Sequence, residues 1–336
     1  MPPTGELTGT APPPRPTTSL GPALIWGMAF GAGGARELRD CEGASAEGFR
    51  WLHLNLADLR TRQWIANTPE LPRDVRELLL ATDTHQRSVV DGKGVGCVIH
   101  DFERDFEKAH TDRVGAVRIA IAEHLVVTTR LHPLRSADIT WRRLRAGARP
   151  ESPGAALDFL VSAICENIAD LTHSLEQELQ AIEDSFLEGR DPTSRNLMAL
   201  RRRLAQIHRL LDGMRSVFKR LERDDDLPPA LLPVVERLSQ RLLALDGDIL
   251  GVQGQLRTLR DEIDIQSEQR TNQNLYLLSI MTALMLPATL VTGIFGMNTG
   301  GMLLQGPHGT LLASLLAGAT AGGSYLLLRW LGFIRR

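Results

Sequence analysis

The sequence predicts an α+β membrane protein with an N-terminal α/β domain, a stalk of long helices and two C-terminal transmembrane helices. Short segments before residue 150 alternate apolar and polar residues, as half-buried strands do. A long segment after residue 230 spaces its apolar residues by three and four, as packed helices do. From Leu275 onward the last 62 residues contain only three charged side chains. This segregation excludes a purely soluble protein. A membrane crossing needs about 20 apolar residues, and the sequence has only two such stretches, so a large polytopic transporter is also excluded.

Composition narrows the functional class further. The formal net charge of -2 argues against nucleic acid as the main partner, because nucleic-acid binding favours a basic surface. The three cysteines lie far apart without a CxxC pair, so neither a disulfide framework nor a cysteine metal site is expected. The sequence contains no nucleotide-binding loop, nucleophile elbow or paired catalytic carboxylates. We therefore expect a protein that is not an enzyme and has no cofactor.

The N-terminal half divides into a tail and a mixed domain. Residues 1–22 are rich in proline and threonine, which is typical of a disordered tail. Residues 23–150 contain four β-branched or alternating segments and two amphipathic segments, which predict an α/β domain of ordinary size. The expected strands are residues 49–56, 95–99, 114–120 and 125–129, and the expected helices are residues 72–81 and 137–146.

Residues 151–274 are expected to form a stalk of three long helices. The first covers residues 155–187 and stops at Gly189, a residue favoured after helix ends. The second begins with Asp191 as N-cap and Pro192 at the first helical position. The third begins after Pro228 and Pro229 and carries a seam of apolar residues over four heptads. The seam consists of Val235, Leu238, Leu242, Leu245, Ile249, Val252, Leu256, Leu259 and Ile263.

The apolar C-terminus is long enough for two crossings. Residues 275–295 form an uncharged stretch that continues the third helix, so one helix of roughly 65 residues is expected. Residues 296–308 form a loop without Lys, Arg, Asp or Glu, and residues 309–328 form the second span. Residues 329–336 form a basic tail, which the positive-inside rule places in the cytoplasm. Two crossings then place both termini there.

A polar stripe marks one face of the first span. Counting back from Gly293 in steps of four and three collects residues on one helix face, and polar groups in lipid favour the bundle interior. We therefore expect this stripe to line a pore: Asn272, Ser279, Thr282, Leu286, Thr289 and Gly293, with Leu275 between them. The alternative is that the serine and threonines only bond their own backbone carbonyls.

The loop opens with Gly296-Met297-Asn298, directly after the first span and before the second. In this position, with an α/β domain and long helices before it, the sequence resembles the CorA superfamily of divalent-cation transporters. That superfamily carries Gly-Met-Asn at the end of the first of two C-terminal transmembrane helices. The following residues, Thr299-Gly300-Gly301-Met302, and the strand at residues 50–55 resemble the ZntB zinc-transporter branch more than the magnesium branch.

The resemblance implies a homopentamer in the bacterial inner membrane, with the first spans lining the pore and the cytosolic parts forming a funnel. It implies zinc as the cargo, with movement that can be coupled to protons. The alternative within the class is a magnesium or cobalt channel gated by cations bound in the funnel. The expected partners are further copies of the chain, membrane lipid and divalent ions, without nucleic acid.

Three candidate ion sites follow. A ring of Asn298 amides at the loop of Gly296, Met297 and Thr299 would accept hydrogen bonds from the water shell of a divalent cation. Asp261 and Glu268 continue the polar stripe in a segment with eight acids and five arginines, residues 226–274, and could attract cations. His308 in the uncharged loop could bind metal or sense pH. The simpler alternatives are a helix C-cap, a solvated charged face and a plain loop residue.

Two readings from other classes remain open. In the first, the chain is a membrane-anchored enzyme or sensor, and in the second it is a coiled-coil scaffold. An anchor needs neither the polar stripe nor a helix continuous from stalk to membrane, and a scaffold leaves the Gly-Met-Asn loop unexplained.

Overall fold

The computed structural model describes residues 23–41, 48–105, 112–190, 194–296 and 309–333. The chain divides into two compact units, Met1–Arg257 and Thr258–Arg336, and the boundary falls inside one long helix. In chain order the described elements are β1 (Leu24–Gly31), β2 (Gly34–Glu37), β3 (Gly48–Asn55), α1 (Leu59–Asn67), α2 (Arg73–Leu80), β4 (Arg87–Asp91), β5 (Gly94–Phe102), β6 (Val114–Ile121), β7 (Leu125–Arg130), α3 (Arg135–Arg145), α4 (Pro153–Leu187), α5 (Ser194–Glu222), α6 (Leu232–Gly296) and α7 (Gly309–Trp330).

The strands described in the N-terminal unit form one mixed sheet of seven, in the order β2-β1-β3-β7-β6-β5-β4. β3 and β7 pair in parallel at its centre, with His53 opposite Thr128, and the other described pairs are antiparallel. The central strands are buried along most of their length, as expected for strands covered on both faces.

Alternation along β3 sends its side chains to two different layers. Leu52 and Leu54 join the core on one face, together with Ile65 of α1 and Val75 of α2. On the other face, Trp26 of β1 stacks on Trp141 of α3, with ring centroids 5.5 Å apart. The sheet is therefore sandwiched between α1 and α2 on one side and α3 on the other.

The stalk helices begin and end with the signals expected from the sequence. Ser152 caps α4 by accepting a hydrogen bond from the Ala155 amide at 3.1 Å, and Gly189 follows the helix with a left-handed φ of 81°. α6 begins at Leu232, shortly after Pro228 and Pro229 as expected. Pro233 was not considered in the sequence analysis; it lies in the first turn, where its missing N–H costs no helical hydrogen bond. The expected N-cap Asp191 and Pro192 lie outside the described residues.

The expected strands and helices are confirmed, and four further elements were not predicted. β1 is continuously apolar rather than alternating, and β2 is a four-residue strand at the edge of the sheet. β4 is half-buried throughout, and α1 offers only Trp64 and Ile65 as large apolar side chains beyond its first residue. Each lacks the periodicity that sequence analysis relies on.

In the C-terminal unit, α6 and α7 each contain a window apolar enough to cross a membrane, with mean hydropathy 1.9 and 1.6. Only 6% of the first window and none of the second is buried within the described chain. Leu275, Leu286 and Leu290 are 56%, 67% and 65% exposed. Apolar side chains exposed over such lengths are typical of helices that face lipid or further membrane helices.

Candidate functional site

The polar stripe on α6 has a definite hydrogen-bond geometry. The hydroxyls of Ser279, Thr282 and Thr289 each donate to the backbone carbonyl four residues earlier, at 2.8 Å in all three cases. The self-bonded arrangement considered from the sequence is therefore the one observed. The stripe can still accept hydrogen bonds, because a hydroxyl that donates its proton keeps oxygen lone pairs as acceptors.

The two faces of this stretch of α6 differ in burial. Every member of the stripe, from Asn272 to Gly293, is exposed. The half-buried residues lie about 150° away around the helix, on the opposite side. They are Ile280, Ala283, Leu284, Pro287, Ala288, Val291 and Phe295. The apolar side is therefore partly covered within the described chain, and the line of oxygen acceptors is open.

Pro287 adds an acceptor that sequence analysis missed. It lies inside α6 and has no N–H, so the Ala283 carbonyl lacks its usual helical donor. Ala283 and Pro287 both belong to the half-buried face of α6, so this oxygen is not part of the exposed stripe. A proline within an apolar span was the available signal, because such prolines free a backbone oxygen.

The two candidate funnel acids are exposed and separate. Asp261 and Glu268 have no ion-pair partner within the described residues, whereas Asp264 lies 3.8 Å from Arg260. Seven residues of helix separate them by about 10 Å, too far for both carboxylates to ligate one Ca²⁺- or Mg²⁺-sized ion. The part of the chain that the structure describes contains no group of three or more His, Cys, Asp or Glu side chains able to hold a metal. In one chain these acids can attract cations but do not enclose one.

One of the eight acidic residues between residues 226 and 274, Asp246, is buried and cannot belong to a cation-attracting surface. Asp246 is 3% exposed, and its carboxylate lies 2.8 Å from His208 Nδ1 and 2.5 Å from Arg215 Nη1 on α5. It therefore ties α6 to α5. The acidic excess expected along the stalk is smaller than the sequence count suggests.

Most of the loop lies outside the part of the chain that the structure describes. Gly296 is the last residue of α6, and Met297, Asn298, Thr299 and His308 lie outside the described residues. Their assignment to ion recognition stays a prediction.

Residues 46–335 match the model of the family described as CorA-like Mg2+ transporter protein. The chain belongs to this family. It is 28% identical to the zinc transport protein ZntB of Enterobacter sp. (strain 638), over 81% of the chain and 84% of the relative. The ZntB of Yersinia enterocolitica is also 28% identical, with the same coverage of both chains. The resemblance to the CorA superfamily, and within it to the ZntB branch, is confirmed.

Solved structures support the fold of this CorA-like chain. The full-length CmaX protein matches with a TM-score of 0.74 and 24% identity, over 92% of the chain and 97% of that structure. The CorA magnesium transporter of Methanocaldococcus jannaschii matches with a TM-score of 0.76 and 18% identity, over 93% and 99%. The ZntB cytoplasmic domain of Vibrio parahaemolyticus matches with a TM-score of 0.61 and 15% identity, over 73% and 98%. These similarities concern the fold; the family match over residues 46–335 makes the chain a CorA-like divalent-cation transporter, with α6 and α7 as its candidate membrane spans.

Proposed function

We propose that this chain transports Zn²⁺ across the bacterial inner membrane through a pore lined by the exposed stripe of α6. The observation that carries the proposal is the open line of oxygen acceptors at Ser279, Thr282 and Thr289, opposite the half-buried face. Zinc, rather than another divalent cation, is favoured by the relatives named ZntB.

The chemistry of the stripe suits a hydrated ion. Residues 275–295 contain no carboxylate, imidazole or thiol, so the span offers Zn²⁺ none of its usual direct ligands. Hydroxyl and carbonyl oxygens can instead accept hydrogen bonds from the water that surrounds the ion. The proposed Asn298 ring applies the same principle at the mouth, where it would select by hydrated size and charge.

A shared pore requires several chains. Two spans cannot enclose a water-filled path, and the stripe on α6 would otherwise face lipid, where polar groups are disfavoured. We propose a homopentamer with one α6 from each chain around the axis. Arg329, Arg335 and Arg336 favour a cytoplasmic location for the C-terminus and, with two crossings, for the N-terminus.

A magnesium or cobalt channel is the second candidate. It is favoured by the family description and by Asp261 and Glu268, which could hold regulatory cations between neighbouring copies. The two functions differ in ion preference, in proton coupling and in inhibition by internal divalent cations.

Flux into proteoliposomes tests the proposal. Zinc, magnesium and cobalt uptake should be measured with and without an imposed pH gradient, and zinc is expected to be carried best and to respond to the gradient. Magnesium uptake that is insensitive to the gradient would favour the channel instead. Replacement of Asn298 by Ala should remove most transport while leaving the oligomer intact, and wild-type flux would rule out the amide ring.

The stripe itself has a matched control. Thr282→Val and Thr289→Val remove acceptor oxygens with little change of shape, and we expect about a fivefold loss of flux from each. Thr292→Val removes a similarly self-bonded hydroxyl, 3.0 Å from the Thr289 carbonyl, on a different face of α6. It should leave flux unchanged. Equal losses in all three variants would show that the stripe does not line the path.

A further inference from the structure

A groove of about 400 Å³ opens between α4 and α6 in the N-terminal unit. Its wall includes Glu176 of α4 and Gly247, Asp248 and Gly251 of α6, and none of its described wall residues is Lys or Arg. The ring of His173 lies 3.5 Å from the Glu176 carboxylate, and Asp248 has no ion-pair partner within the described residues. The groove is therefore open and negatively charged.

The two glycines of this groove leave space that no described residue uses. A Cβ atom built on Gly247 or Gly251 would meet no heavy atom within 4 Å. Neither has a positive φ that would require glycine. Glycine in a helix interior lowers helix stability relative to alanine, but it allows another element to approach the backbone closely. The glycines therefore suit a groove that receives a second helix.

Two pairs of carboxylates show that the groove opens on the side of α4 and α6 that is opposite to α5. Asp246 binds α5 through two ion pairs, and Asp248 follows two residues later, about 200° around α6. On α4, Glu178 lies 3.6 Å from an arginine of α5, and Glu176 again differs from it by two residues. In both helices one carboxylate faces α5 and the other lies in the groove.

Positive charge lies on the outer face of α5. This helix contains eight Lys or Arg residues and two acids, whereas α4 contains seven acids and no Lys or Arg. Arg202 and Arg209 are seven residues apart and share one face, and Arg209 follows the buried Ile207 by two residues. Both arginines are exposed, and neither has an ion-pair partner in the part of the chain that the structure describes. The outer face of α5 thus complements the groove in charge.

The groove and the two arginines lie at a similar height along the helices. Asp246 pairs with His208, and the Gln253 amide donates to the Leu204 carbonyl at 3.4 Å. Residues 247–251 therefore run beside the α5 segment between those two partners, and the outer arginines flank that segment. Rotation of a second copy about an axis parallel to the helices brings its outer α5 face level with the groove of the first.

We propose that the groove binds the outer face of α5 from a second copy of this chain. Arg202 and Arg209 of one copy enter the groove of the next, where Glu176 and Asp248 accept charge-assisted hydrogen bonds. Each copy uses one surface to give and a different one to receive, so the contact is head-to-tail and can close into a ring. The inference rests on the proposed assembly of several copies and assigns the surface by which their N-terminal units dock.

Cross-linking of the full chain in membranes tests this contact without removing its charges. Ala205 lies between Arg202 and Arg209 on the outer face of α5, and Gln255 belongs to the groove wall. In the variant Ala205→Cys with Gln255→Cys, a short bis-maleimide should join different copies into covalent dimers and larger products. The three natural cysteines are buried and should not react. Ala205→Cys alone should give no covalent oligomer, because a head-to-tail contact does not bring two copies of one residue together.

Ser174→Cys with Ala205→Cys is the matched control. Ser174 is exposed on α4 within one turn of Glu176 but lies about 200° around the helix from it, so this pair should give no covalent oligomer. In the reactive pair, Arg209→Glu should lower the yield of cross-linked product by about tenfold, and so should Asp248→Arg. The two reversals together should restore the yield, because the charges again attract.

A further variant fills the groove. Gly251→Leu should lower the cross-linked yield by a similar factor while keeping the fold, since no described residue occupies the space that leucine takes. Circular dichroism checks the fold of each variant. Equal yields in the reactive pair and its control, product from Ala205→Cys alone, or an unchanged yield in folded Gly251→Leu would overturn the proposal.

Native mass spectrometry of the parent chain separates this inference from the proposed function. An oligomer that gives no cross-link through the groove would refute only the docking surface and leave the shared pore intact. A monomeric parent would refute both.

Discussion

Similar apolar side chains are buried in one part of α6 and exposed in another. Between residues 235 and 249 the seam residues Val235, Leu238 and Leu242 are at most 1% exposed. Between residues 275 and 290, Leu275 and Leu286 are 56% and 67% exposed. One helix thus contributes to a folded core in its first part and presents apolar surface in its second.

The difference shows which parts of the chain can be stable alone. Burial of apolar area contributes about 25 cal/mol per Å², so the seam stabilises the fold within one chain. The second part gains this contribution only from lipid or from further copies. Changes in the seam should therefore alter the free energy of unfolding, whereas changes on the exposed part should alter transport.

The largest expected effect is on the seam. Leu242 is fully buried, so Leu242→Ala should lower the free energy of unfolding by about 3 kcal/mol through lost burial and a residual cavity. Leu286→Ala, on the exposed part of the same helix, should lower it by less than about 1 kcal/mol. Chemical unfolding of both variants in detergent, followed by circular dichroism, measures the difference. Similar losses would remove the contrast between the two parts.

A second test uses charge instead of apolar area. Asp246→Ala leaves His208 and Arg215 without their shared carboxylate, and we expect a loss of about 2–3 kcal/mol. This lies below the usual range for buried pairs because both partners are about a third exposed and regain water. The control is Asp264→Ala, which removes an exposed pair with Arg260 and should cost less than about 0.5 kcal/mol. If Asp264→Ala lowered the free energy of unfolding more than Asp246→Ala, the part of α6 that follows the seam would contribute more to stability than its exposure indicates.

The same contrast explains what could be predicted from sequence. The seam and the polar stripe follow from helical periodicity. The strands β3 and β6 follow from alternation and β5 and β7 from β-branched residues, although β3, β5 and β7 are buried along most of their length. β1 was missed because it is buried without alternation, and the role of Asp246 was missed because a charged residue next to the seam resembles any solvated position. The groove between α4 and α6 joins helices distant in sequence through their packing, which residue spacing does not encode.

Acid should act on the buried groups of the N-terminal unit. The folded pKa of His53 is depressed to about 3 from 6.5, so stability is full above pH 6.5 and is lost as pH falls, by about 2 kcal/mol between pH 7.5 and pH 5. Asp101 acts in the opposite sense, because burial raises its pKa to about 6 and the folded state therefore favours the protonated form. Between pH 7.5 and pH 5, protonation of Asp101 raises the free energy of unfolding by about 1 kcal/mol. His53→Gln should therefore be stabilised by acid where the parent is slightly weakened. Unfolding curves at both pH values test this, and an identical pH response in parent and variant would contradict it.

The smallest effect is expected from the two acids that continue the stripe. Asp261 and Glu268 are exposed and lie in the C-terminal unit, where water and salt screen their field beyond about 8 Å. If they only raise the local cation concentration, Asp261→Asn with Glu268→Gln should lower zinc uptake by about twofold and leave any inhibition by internal divalent cations unchanged. Glu262→Gln is the control, since this exposed acid is rotated by about 100° from Asp261 around the helix.

The alternative outcome separates the two transport mechanisms. If the acids hold inhibitory cations between copies, their removal would take away cross-links and shift the ring towards an open state. Uptake would then continue at internal magnesium or zinc concentrations that inhibit the parent. We expect the first outcome, because the loop sequence resembles the ZntB branch and lacks the residues of the magnesium branch. Flux measured against internal magnesium and zinc in the parent, the double variant and Glu262→Gln decides between them. Relief of inhibition in the double variant alone would establish a cation-gated channel. Equal flux in all three proteins would show that the acids are only a solvated charged face.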